Sequence, residues 1–354
     1  MSSTGKKVII IYILQILQKY TDSDHTLTQQ QIADKLLEDY NVTIDRGALK
    51  RNLTELIDAG YNIQYKEITR LQKNKKNGTS EENLIYTDIY YEHDFTESEL
   101  RLLIDGLLFS RSVPYQQRKL LIDKLGKLSS VHFNKRMNHI RCMSPDSPQN
   151  SELFYTIDVL DEAISSSRQV EITYNQYGTD YKLHPTYAED GQTLKRHTLN
   201  PYQLVANDGR YYLICNNDHH EYVGTYRVDR ITDVKMLEKK TKPMSQVKGL
   251  ENGLNLQDHI YQNIEMFVGE IIDVEFLIQR SMIGVIIDFF GKNVSFHESE
   301  TGLVTCKVKA SYKSIKRWAV MFSNSVKILS PTTLVEDVKA EICDSAQKYG
   351  LTIM

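Results

Sequence analysis

The stretch Asp45-Arg46-Gly47-Ala48-Leu49-Lys50-Arg51-Asn52-Leu53-Thr54-Glu55-Leu56-Ile57-Asp58-Ala59-Gly60-Tyr61 sets the organisation of the N-terminal part of this 354-residue chain. Asp45 has the chemistry of a helix N-cap. Leu49, Leu53 and Leu56 then recur at helical spacing and define one apolar face, and Gly60 suits the C′ position that ends a helix. Upstream, Val8 to Tyr20 carries apolar residues on most turns and reads as a first helix. Thr28 opens a second helix with Gln31 at capping-box distance, and Ile32, Ala33, Leu36 and Leu37 supply its apolar face. Only a short link separates the second helix from the third, as a helix-turn-helix requires. Downstream, Tyr61 to Ile68 and Asn83 to Tyr90 read as paired strands around the polar basic loop Arg70 to Gly78. This order predicts a winged helix-turn-helix over residues 1–92.

A helix of this kind places its N-terminal end against base edges in the major groove of duplex DNA. The residues in position are Thr43, Arg46, Gly47, Lys50 and Arg51. Arg46 and Lys50 are four apart and share a face. Arginine grips guanine bidentately, and Gly47 lets the groove wall approach closely. Lys73, Lys75 and Lys76 in the loop are candidates for phosphate contact. From Arg46 to Lys76 there are eight basic residues (46, 50, 51, 66, 70, 73, 75, 76) against three acidic (55, 58, 67), a local +5 on a chain of net charge −3. A merely solvated hairpin would account for the lysine-rich loop. It would not account for helix order, short turn and basic third helix together.

The stretch 45–61 also resembles the recognition helix of regulators in the WYL family, which usually end it in Arg-Asp-Leu, then Leu, then Gly-Tyr; here Asn52 stands in the Asp position. Thr96 and Glu99 open another helix with capping-box spacing, and Leu100, Leu103, Leu107 and Leu108 continue it. Pro114 interrupts, and Gln116 to Ser129 reads as a further helix. Residues 93–150 are thus a helical connector, ending in an irregular link around Pro145 and Pro148.

Beyond Ile157 to Ser166, a short amphipathic helix, the periodicity changes. Val170–Tyr174, Lys182–Tyr187, Arg196–Val205, Tyr211–Cys215 and Tyr222–Tyr226 are short strand-like runs separated by Gly178, Gly191, Gly209 and the polar stretch 216–220. Five short strands with tight turns predict a small β-barrel over 151–240. Three elements here resemble a WYL domain, a small barrel of the Sm/SH3-like kind: Asn200-Pro201-Tyr202-Gln203-Leu204-Val205, Gly209-Arg210-Tyr211-Tyr212-Leu213, and Tyr226-Arg227-Val228-Asp229-Arg230-Ile231. Tyr211 takes the place of the first letter of the name motif. Independently, Arg196, His197, Tyr212, Arg227 and Arg230 gather cations and a phenol on one small domain. Arginine on a rigid strand suits bidentate phosphate capture, and tyrosine stacks on bases. The competing reading makes Asp229 a strand-end clamp for one of the arginines and places Tyr211 and Leu213 in the core. The resemblance implies a sensor of single-stranded nucleic acid or a nucleotide.

Residues 250–354 alternate β-α-β-β-α-β-α, which predicts a ferredoxin-like α+β domain. Trp318, the strand and proline Val326 to Pro331 and the last helix resemble the WCX extension that follows WYL domains; Trp318 itself reads as core. The fold class expected is therefore a multidomain α+β protein of winged helix-turn-helix, small Sm/SH3-like β-barrel and ferredoxin-like domain.

Composition sets limits on function. Apolar residues make up 41% and charged residues 25%, as in soluble globular proteins. The longest apolar run, Val8 to Leu14, is too short to span a bilayer. Cys142, Cys215, Cys306 and Cys343 are scattered, with no C-x-x-C pair, which fits a reducing cytoplasm. No phosphate-binding glycine loop, H-E-x-x-H or G-x-S-x-G occurs, so neither an enzyme, a cofactor nor a metal is expected. His184, His197, His219 and His220 lack ligand spacing. The expected function is a ligand-responsive, homodimeric transcription regulator bound to a double-stranded operator. The alternatives are a nucleic-acid-binding accessory protein of a nuclease or defence system, and an enzyme acting on nucleotides.

Overall fold

The computed structural model describes residues 6–73, 80–137, 150–298 and 302–351. The chain divides into two compact units, Met1–Pro145 and Asp146–Met354.

The first unit begins with α1 (Lys6–Tyr20), α2 (Gln29–Tyr40) and α3 (Arg46–Asp58). A hairpin of β1 (Ile63–Lys73) and β2 (Ser80–Tyr91) follows. Thr28 and Gln31 form the reciprocal capping box read from the sequence, and Asp45 accepts the Ala48 amide at 2.9 Å. Gly60 has φ +89°, the left-handed conformation that favours glycine. Ile13, Ile16 and Leu17 of α1 pack with Ile32 and Leu36 of α2, Leu49, Leu53 and Leu56 of α3, and Ile63, Tyr86 and Ile89 of the hairpin. Leu27 adds a single antiparallel bridge to Ile89, so the segment between α1 and α2 is sewn to the hairpin.

Among the described residues, three connector helices follow in this unit: α4 (Glu97–Phe109), α5 (Tyr115–Gly126) and α6 (Val131–Met137). The sequence predicts one helix over 116–129, but the structure ends it at Gly126. Asn134 there donates to the Gly126 and Ser130 carbonyls, and a Cβ on residue 126 would stand 2.3 Å from the Asn134 amide oxygen. The small apolar centre is Leu100, Ile104 and Phe133.

The second unit opens with α7 (Leu153–Ser165), packed on a six-stranded antiparallel sheet. Its strands are β3 (Arg168–Tyr177), β4 (Leu183–Pro185), β5 (Arg196–Asn207), β6 (Arg210–Asn217), β7 (Gly224–Arg227) and β8 (Ile231–Lys240). The order is β4-β3-β5-β6-β7, with β8 also on β3. Five runs are legible in the sequence; β8 is the sixth. The expected barrel does not close. Strand β7 has only four residues and runs directly into a 3-10 turn, Val228–Arg230, which leads into β8. Thus β7 and β8 are joined by a turn where a barrel needs a ladder, and among the described residues β7 pairs only with β6.

After α8 (Leu256–Gln262) come β9 (Ile271–Gln279), α9 (Ile283–Phe290), β10 (Val294–Glu298), β11 (Leu303–Ser311), α10 (Tyr312–Met321), β12 (Val326–Ser330) and α11 (Thr332–Lys348). The sheet order is β10-β11-β9-β12, all antiparallel. Alternation along β9 and β11 sends Val274, Phe276, Ile278, Val304, Cys306 and Val308 into one core with the helices. Trp318 is 1% exposed there, among Phe276, Phe289, Phe290 and Phe322, so it is a packing residue.

Candidate functional site

On α3 the leucines face inward and leave Arg46, Gly47 and Arg51 exposed at the start of the helix, with Thr43 exposed just before it. Lys50 is committed within the unit: its Nζ donates to the Leu84 carbonyl at 2.6 Å and lies 5.0 Å from the Tyr86 ring centre. It ties α3 to β2. Asn52 donates to the Ala48 carbonyl one turn back. Lys73 closes β1, with its side chain outside the described residues, and Lys75 and Lys76 lie outside them altogether.

In the second unit, an open cleft of about 770 Å³ lies on the sheet around β3, β4, β5 and β7. Tyr174, Tyr177, Tyr187, Tyr226, His184, His197 and Lys195 line it. Tyr174 and Tyr226 meet edge to face at 4.9 Å, and His197 stands 5.7 Å from Tyr226. Burial pushes the Tyr226 phenol up to about 12, with the Cys215 and Tyr174 charges acting the same way. Tyr174 is raised mainly by burial, and Tyr177 by burial and then Asp229. Burial and, second, the Lys195 ammonium lower His197, so at neutral pH it presents an uncharged ring. His184 bonds Asp180 at 2.8 Å. The cleft walls are therefore mostly neutral rings. Lys195 is exposed and forms no ion pair among the described residues.

Arg227 and Arg230 flank the 3-10 turn. Arg227, just before it, is still extended and Arg230 is its last residue, so strand alternation does not set the relation between the two side chains. Their roles divide. Arg227 grips Asp229 with Nε at 3.1 Å and a terminal nitrogen at 2.6 Å. Asp229 is 5% exposed. Arg230 instead lies 4.9 Å from the centre of the Tyr177 ring that walls the cleft, and its buried Nε has no partner among the described residues. Asn175 donates to the Arg230 carbonyl and to Thr232, and Asn150 to the Ile231 carbonyl, so the turn is pinned from two sides.

Residues 155–236 match the family model of the WYL domain. This segment is a WYL domain. No curated protein matches the chain. Among solved structures, the chain is similar to "Proteasome accessory factor B/C (PafBC) of Arthrobacter aurescens", at 16% identity and a TM-score of 0.27, over 98% of this chain and 49% of that one. The chain thus spans about half the length of that protein. A second is described as "Crystal structure of a CRISPR Cas-related protein", at 14% identity and a TM-score of 0.37, over 99% of this chain and 88% of that one.

Several motif residues of the WYL domain serve the framework. Asn200, fully buried, donates to Asp218 at 2.7 Å and accepts from Gln169 at 2.8 Å. Lys239 closes the group on Asp218 at 2.7 Å. Asn200, Lys239 and Gln169, in that order, hold the Asp218 carboxyl far below the usual carboxylate range. Together they cross-link β3, β5, β8 and the exit of β6. Of the five sequence candidates, His197 lines the cleft and Arg230 stands beside it. Arg196 is paired with Glu171 at 2.8 Å, and Arg227 with Asp229. Tyr212 is only 8% exposed, in an apolar cluster with Tyr202, Val205, Ile214, Val223 and Met266. Leu213 is buried and Tyr211 half-buried. The residues missed are Tyr174, Tyr177, Tyr187, His184, Lys195 and Tyr226. Their signal was the pair of tyrosines around Asn175 and Gln176 and the aromatic and histidine content of 184–187. Among the described residues, no three His, Cys, Asp or Glu side chains are placed to hold a metal ion, and no helix is long and apolar enough to cross a membrane.

Proposed function

We propose that the protein is a sequence-specific DNA-binding transcription regulator whose WYL domain binds a nucleotide or a short single strand as effector. The observation that carries the reading is the cleft: neutral aromatic walls for a planar base, with Lys195 and Arg230 as nearby cations not engaged in ion pairs among the described residues. Base stacking on such rings is sequence-tolerant and strong, and the cations attract the phosphate. The first unit contributes a winged helix-turn-helix, with Arg46 and Arg51 exposed where base edges are read. The protein acts as a homodimer on paired half-sites, a reading supported by Leu102, Phe109 and Leu120 standing exposed on α4 and α5. It works in the cytoplasm, to which its free thiols Cys215, Cys306 and Cys343 are suited.

Tyr187 tests the cleft with little risk to the fold, because its side chain is 52% exposed. Tyr187→Ala should weaken binding of adenosine 5′-monophosphate or a short oligothymidylate by roughly 5- to 150-fold in calorimetry, the loss of one stacking contact of about 1–3 kcal/mol. Equal affinity in wild type and variant would place the effector site elsewhere.

A further inference from the structure

The apolar cluster that buries Tyr212 also holds a residue from outside the sheet. Met266, 4% exposed, packs with Tyr202, Val205, Tyr212, Ile214, Val223, Val247 and Leu250. It belongs to the segment 263–267, between α8 and β9. Glu265 has φ 53°, ψ 22°, and Met266 has φ 61°. Two successive non-glycine residues in the left-handed region are strained, and such a conformation persists only where its surroundings enforce it. The enforcing contacts come from two directions. From the sheet, the Thr225 hydroxyl donates to the Met266 carbonyl at 2.7 Å. From α10, Arg317 lies 4.8 Å from the centre of the Phe267 ring and 3.9 Å from the Glu265 carboxylate. Buried Asn263, at the head of the segment, keeps its side-chain oxygen without a partner among the described residues.

Thr225 is the neighbour of Tyr226, which walls the cleft. Successive side chains of a strand point to opposite faces, so a four-residue strand carries the cleft on one side and the strained segment on the other. Among the described residues, strand β7 forms a ladder with β6 alone; away from β6 it is tied by the Arg227 amide, which donates to the Tyr174 hydroxyl at 3.3 Å, and by the bridge between Tyr222 and Lys248 just before it.

We infer that the Thr225–Met266 hydrogen bond is the latch through which occupation of the WYL cleft is passed to the C-terminal β9–α11 body. The inference rests on the cleft being the effector site. A base stacked in the cleft competes with Tyr174 for the Tyr226 ring. That displaces β7, draws Thr225 from Met266 and lets 263–267 relax, releasing Phe267 from Arg317. A ligand shifts such an equilibrium only by binding the two arrangements unequally, and the Tyr226 ring is where they differ. Thr225 and Met266 are positioning residues here and do not touch the effector.

The chain has a single tryptophan, Trp318, next to Arg317 on α10, and it reports on this body without labelling. Saturating adenosine 5′-monophosphate or short oligothymidylate should change Trp318 emission in wild type. In Thr225→Val the probe should still bind in calorimetry and the emission change should be lost; Thr225→Ser, which keeps the hydroxyl, should restore it. Glu265→Gly, which relieves the strain at one of the two left-handed residues and removes the exposed pair with Arg317 without touching the apolar cluster, should also mute the change while melting close to wild type, and it serves if Thr225→Val does not fold. Binding with no emission change in wild type, or a full change in Thr225→Val or Glu265→Gly, overturns the latch and leaves the cleft standing. Absence of binding in wild type overturns both.

Discussion

Replacing Arg46 and Arg51 together by Ala should lower affinity for the operator duplex by at least about thirtyfold at fixed salt, since each bidentate base contact is worth about 1–3 kcal/mol. Both side chains are exposed at the start of α3, so their removal costs the fold little. The loss should be confined to specific DNA, with binding to unrelated duplexes reduced only by the two missing charges. Lys50 should behave differently. Its ammonium is held by the Leu84 carbonyl, so Lys50→Ala loosens α3 from β2 and weakens all duplexes together. Fluorescence anisotropy on specific and unrelated duplexes separates the two patterns. An unchanged operator affinity in the double variant would mean that α3 does not read the DNA.

Asp229→Ala should destabilise the second unit by about 3 kcal/mol, the low end for removing one partner of a buried ion pair. For a unit of this size that is a fall in melting temperature of about 6–12 °C. The physical cause is Arg227, whose partly buried guanidinium would keep its position and lose both carboxylate contacts. Arg227→Ala combined with Asp229→Ala should recover part of the loss, because no charge is then left uncompensated. Arg230→Ala should cost far less stability, having no carboxylate to strand, while weakening effector binding. Calorimetric melting of the three variants tests this. Equal destabilisation by Arg230→Ala and Asp229→Ala would contradict the division between clamp and cleft.

That division also marks where sequence reasoning stops. Periodicity and capping chemistry located α2 and α3 to within a residue or two, because Thr28, Gln31, Asp45 and Gly60 act locally. The C-terminal order was legible for the same reason: each strand and helix there keeps its own period. The ligand set was less legible because it depends on partners distant in sequence. Nothing at Arg196 shows that Glu171 lies across the ladder from it, and nothing at Tyr212 shows that Met266 covers it. The failure of the barrel to close is likewise a property of one four-residue strand and the turn after it, and Arg-x-Asp-Arg reads equally well as strand or turn until Asn175 and Asn150 are seen to pin it. The cleft tyrosines were hidden by their ordinariness: tyrosine is a common strand residue, and only the folded sheet shows that 174, 177, 187 and 226 converge.

The central claim is that effector binding in the WYL cleft changes DNA affinity. The most direct measurement is operator affinity by anisotropy, with and without a saturating nucleotide or oligonucleotide already shown to bind by calorimetry. Coupling of about 1–3 kcal/mol shifts the wild-type affinity roughly 5- to 150-fold, and Tyr187→Ala at the same effector concentration should show little of that shift. An effector that binds the wild-type protein tightly while leaving its operator affinity unchanged would contradict the account.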